Sequence, residues 1–128
     1  MVFWKKKKGD RPASEYEKRA LKFDAVRAAF LALHGARYKV TDVKVATFWD
    51  PDEDDMPISS VGVSVYFVTK TDEEKEDFRK RFFDEASGEY LKLVSRDSKL
   101  QGLTYDFYIL SVQEVKRDFD NNWYYAML

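Results

Sequence analysis

Ser60-Val61-Gly62-Val63-Ser64-Val65-Tyr66-Phe67 carries valine or phenylalanine at every second position. A period of two is the repeat of a strand, whose successive side chains point to opposite faces. β-Branched and aromatic residues suit that pleated, half-buried surface. An earlier stretch repeats the pattern: Val43, Val45, Thr47 and Trp49 alternate with Asp42, Lys44, Ala46 and Phe48. Between them lies Asp50-Pro51-Asp52-Glu53-Asp54-Asp55-Met56-Pro57, whose two prolines and five acids belong in a loop. The two runs therefore read as an antiparallel hairpin with a long acidic connection. Further on, Leu103, Tyr105, Phe107 and Ile109 alternate in the same way and predict another strand.

Helical spacing flanks these runs. Ser14 and Glu17 form a capping box after Pro12. Tyr16, Ala20, Phe23, Val26, Phe30 and Leu33 then recur every three or four residues. Leu21, Ala25, Ala28 and Ala29 widen the stripe, so this helix is expected to be well buried, with His34 in its last turn and Gly35 as its stop. Thr71 and Glu74 make a second capping box, followed by Phe78, Phe82 and Ala86 on one face. Gly88 is a candidate end for that helix. Residues 89–95 fit either period: Tyr90, Leu93 and Val94 are spaced as in a helix, Leu91 and Leu93 as in a strand. Residues 112–128 are equally open. Trp123 to Leu128 reads as a last strand or a docked segment, while Ser111 and Glu114 allow a helix from Val112. The order helix, strand, strand, helix, strand predicts an α+β fold with two layers. An antiparallel sheet of three to five strands is expected, with two helices packed on one face. Residues 1–12 read as a basic tail and 13–128 as one domain.

Composition narrows the chemistry. The 128 residues are 45% apolar, 35% charged and 16% aromatic, so one aromatic-rich core and a charge-dense surface are expected. The formal net charge of −1 does not advertise a nucleic-acid binder. The absence of cysteine removes disulfides, thiolate catalysis and Cys-ligated metals. The longest apolar run, Ala28 to Leu33, is too short to span a bilayer, and the N-terminus lacks a secretory pattern. A cytoplasmic location without a membrane span is expected.

Few motifs carry chemistry. Asp50, Asp52 and Asp54 have the opening spacing of a calcium loop, but Asp55 stands where that loop needs glycine and Val61 where it needs glutamate. The acids read better as a solvated loop or as contacts for a basic partner. His34 is the lone histidine, at a helix end where its charge is tolerated for structural reasons. The five glycines are too scattered for a phosphate-binding loop. Pro51-Asp52 with Glu114-Val115-Lys116 has the letters of a magnesium-dependent nuclease, in which two carboxylates hold the ion and a lysine steadies water. Phe3-Trp4-Lys5-Lys6-Lys7-Lys8 would suit a phosphate backbone or an anionic surface. The aromatic surplus points elsewhere. Trp123, Tyr124 and Tyr125 are interface-type residues, and Tyr66 and Tyr108 fall on the strand face away from the main core. The sequence is therefore read as a small interaction domain without catalytic activity or cofactor, an adaptor, regulator or inhibitor. Asp50, Asp52, Asp54, Trp123, Tyr124, Tyr125, Tyr66 and Tyr108 are expected to contact a protein partner or a second copy. The alternatives are a metal-dependent hydrolase using Asp52, Glu114 and Lys116, and an anionic-surface binder using the lysine tail.

Overall fold

The computed structural model describes residues 15–48 and 62–128. The basic tail, the Ser14 cap and the acidic loop with Asp50, Asp52 and Asp54 lie outside these residues. Helix α1 (Glu15–Phe30) continues through a π turn (Leu31–Gly35) and a closing turn (Ala36–Tyr38). It buries Phe23, Val26 and Phe30 of the predicted stripe, and Tyr38 beyond it, while Ala20 and Leu33 of that stripe are exposed. Gly35 does not end it. That glycine keeps right-handed helical angles, and the left-handed residue is Lys39, at φ 58°. Gly35 sits where space is tight. The Val40 N–H donates to its carbonyl at 2.9 Å, and a Cβ on Gly35 would lie 3.1 Å from the Val40 carbonyl oxygen. The wide apolar stripe is also corrected: Leu21 is 69% exposed, and Ala25 and Ala28 are exposed beside it. A helix resting on one face of a sheet has partners on one side only.

Strands β1 (Asp42–Phe48) and β2 (Gly62–Thr69) pair antiparallel, with Val45 opposite Val65. Strand β3 (Thr104–Ser111) pairs with β2 in parallel, with Phe107 opposite Val65. The sheet is thus mixed, in the order β1-β2-β3, and the all-antiparallel expectation is corrected. Alternation says which face a residue occupies and nothing about strand direction. Direction comes from the connection. Helices α2 (Asp72–Arg81) and α3 (Phe83–Val94) form a long helical crossover that carries the chain back to the end where β2 began. The Thr71 cap forms, its hydroxyl accepting from the Glu74 N–H at 3.1 Å. Helix α3 runs through Gly88 to Val94, so residues 89–94 are helical and Ser95 is the C-cap.

The C-terminal part is helical too. Ser111 and Glu114 close a complete capping box at the start of α4 (Val112–Asp118). Asp120 and Asn121 take left-handed angles, φ 52° and 60°, which short polar side chains tolerate. Asn122 then caps α5 (Trp123–Ala126), its side-chain oxygen accepting from the Tyr125 N–H at 3.1 Å.

Two cores result. On one face Val63, Val65 and Phe67 meet α1, α2 and α3 through stacked and edge-on rings, including Phe30, Tyr38, Phe78, Tyr90 and Phe107. On the other face Tyr66, Leu110 and Val115 form a smaller cluster with Phe119, Trp123 and Met127. Helices therefore lie on both faces, and the expectation of a bare far face is corrected. The capping box at Ser111 turns the chain under the sheet instead of adding a strand to it.

Candidate binding groove

Lys44 sits between two valines in β1, and its alternation places it on the far face while Val43 and Val45 point into the main core. β1 is also an edge of the sheet. A groove of about 570 Å³ is lined by residues from both sides of this strand. Above β1, helix α1 contributes Arg19, Ala20, Phe23, Asp24 and Arg27; below it, the C-terminal segment contributes Trp123, Tyr124 and Met127. Val43, Val45 and Lys44 form the floor, so the groove wraps the strand edge. That volume is typical of ligand-binding clefts.

The charges at the groove are largely internal pairs. Arg27 Nε donates to Asp42 Oδ1 at 2.6 Å. The Lys44 ammonium lies 3.7 Å from Asp42 Oδ2 and 4.8 Å from the centre of the Trp123 ring, a cation–π contact. Below the floor, the Tyr66 hydroxyl donates to the Met127 carbonyl at 2.9 Å and latches the C-terminal segment to the sheet. Burial pushes that hydroxyl's pKa up, and neighbouring Tyr108 adds to the rise.

The sequence-predicted residues divide. Trp123 and Tyr124 line the groove, the first half-buried and the second 70% exposed. Tyr66 is buried beneath Met127 and supports the groove without opening into it. Tyr108 stacks on Tyr66 at 5.1 Å and stays half-exposed, outside the groove lining. Tyr125 is exposed beside Tyr124, with ring centres 5.6 Å apart, and is also outside the lining. Sequence reasoning passed over Arg19, Phe23, Lys44, Val45 and Met127. One signal was available: a lysine inside an otherwise apolar strand is a common device of exposed edges.

Several ionisable groups elsewhere among the described residues have structural partners. Glu114 accepts from the Ser111 N–H at 2.8 Å and from Lys75 Nζ at 2.7 Å. Its cation is therefore Lys75, while Lys116 is exposed on α4. Asp52, the third residue of the hydrolase alternative, lies outside the described residues. Ser111 Oγ donates to Asp72 Oδ1 at 2.6 Å, and Arg117 pairs with the same carboxylate. Two helix N-termini are thereby filled by the protein's own acids. His34 Nε2 lies 3.4 Å from Glu89, while its Nδ1 is buried without a partner among the described residues. Nearby, burial and a 2.6 Å hydrogen bond to Glu85 push the Tyr38 hydroxyl up to about 12. Among the described residues, no group of three acidic or histidine side chains is placed to hold a metal, and no helix is long and apolar enough to cross a membrane. The chain matches no family model, no curated protein and no solved structure.

Proposed function

We propose that this protein is a non-catalytic interaction domain, an adaptor, regulator or inhibitor that binds another protein in the groove beside β1. The observation carrying this reading is the groove itself. It combines Val43 and Val45 beside Lys44 on its floor, the aromatic wall of Trp123 and Tyr124, and a cluster in which Arg27 and Lys44 share the Asp42 carboxylate. Aromatic side chains in such a position are the usual anchors of binding energy.

A random-peptide display library panned against the full chain tests it. Selected peptides should shift the amide resonances of β1 and the indole signal of Trp123. Trp123→Ala should weaken their binding roughly thirtyfold, the cost of removing a hot-spot aromatic. Peptides that bind without disturbing β1 or Trp123, or a library that yields no binder, would overturn the reading.

A further inference from the structure

We infer that the occupant of the groove is an extended segment of the partner protein, added to the sheet as a fourth strand along β1. The inference rests on the reading of the groove as a protein-binding site and names what enters it. An edge strand presents a row of backbone N–H and C=O groups away from its neighbour. β1 pairs with β2 on one side, and among the described residues no strand pairs with the other. The groove runs over that side, because one continuous cleft touches Val43 and Val45 on one face and Lys44 on the other. Another extended backbone is what matches alternating donors and acceptors along a seven-residue strand, although the Val43 N–H is already taken by Asp42 Oδ1 at 2.8 Å. A helix satisfies its own backbone groups, and a small molecule meets one or two.

The walls specify the side chains of the incoming segment. Residues alternate between faces, so one set would sit under Ala20 and Phe23 and the other over Trp123 and Met127. The wall of Trp123 and Met127 is apolar and aromatic, while Ala20 and Phe23 stand among Arg19, Asp24 and Arg27, so the segment carries apolar residues on the face toward Trp123 and mixed apolar and polar ones on the face toward α1. It has no proline at its middle positions, where the ladder needs an N–H. Lys44, the residue that would guard this edge, is turned toward Asp42 and Trp123. A guard held in this way still leaves the strand open to pairing. Strand addition of this kind draws affinity from main-chain hydrogen bonds and specificity from alternate side-chain pockets.

The experiment uses the groove-binding peptides from the display selection, each resynthesised with single N-methyl groups at successive backbone nitrogens. Methylation should cost roughly tenfold in affinity at every second position and little at those between, because only alternate N–H groups face β1. β1 amides should gain hydrogen-exchange protection in the complex. Uniform tolerance to methylation with the β1 and Trp123 signals still shifted overturns strand addition and leaves the groove reading standing. Absence of any peptide that shifts those signals overturns both. Since the modification is on the peptide, the folding of the protein is not at stake.

Discussion

The two faces of the sheet are built from the same strands and finished differently. On the main face, three helices close over β2 until Val65 and Phe67 have no exposure at all. Rings from every covering helix interlock there, Phe67 lying 5.3 Å from Phe30, 5.4 Å from Phe78 and 6.4 Å from Tyr90. On the far face, two short helices cover a small cluster, and Tyr108, Tyr124 and Leu128 stay open to solvent. Over β2 the main face is sealed, so its centre supplies stability. At the β1 edge the two faces meet in a groove walled by α1 on one side and the C-terminal segment on the other, so the edge is the place able to recognise something.

The contrast breaks first if Phe67→Ala is mild. Removing a fully buried ring with close partners should cost about 3–5 kcal/mol in urea-induced unfolding. A loss of less than about 1 kcal/mol would mean the main face is not the seat of stability.

Ser111→Ala strikes the point where the two faces meet, since this buried hydroxyl caps α4 and binds Asp72 at the start of α2. A loss of about 1–2 kcal/mol is expected. It should also change the acid limb of stability. In the folded protein the Asp72 carboxyl is held below the ordinary carboxylate range, first by the Ser111 hydroxyl and then by Arg117. Its contribution is complete above the unfolded pKa and disappears as pH falls through the depressed folded value. Unfolding measured across acidic pH should show a shallower fall in the variant than in the parent.

Tyr66→Phe tests the far face alone. Losing the bond to Met127 should cost about 1 kcal/mol, and amide exchange should quicken in α5 with α1 to α3 unaffected. Gly88→Ala acts in the opposite direction. Gly88 lies within α3, and an added Cβ there meets nothing within 4 Å. A gain of about 0.5–1 kcal/mol is expected in chemical denaturation, with peptide binding in the groove unchanged.

Much of the architecture could be read from local pattern. The alternation of Val43 to Phe48 and Gly62 to Phe67 is a β-hairpin pair in the structure, and the Thr71 and Ser111 signatures are working caps. Period and capping are properties of a few neighbouring residues, so a single chain is enough to show them. Placing Tyr124 and Trp123 at a surface worth watching needed no more than their chemistry.

Other features depend on residues far apart in the chain. The parallel pairing of β3, the helices on the far face, the exposed Leu21 side of α1 and the helix that passes Gly35 each depend on which segment arrives next to which. The groove is the clearest case. Its walls come from residues about a hundred positions apart, Arg19 to Arg27 and Trp123 to Met127, and no local period joins them. Sequence by itself determined the elements and their apolar faces, because hydrogen-bond spacing and side-chain direction are local. Only the tertiary structure decided that β1 would be an edge and that two distant helices would flank it, because burial is satisfied by whatever surface comes to meet it.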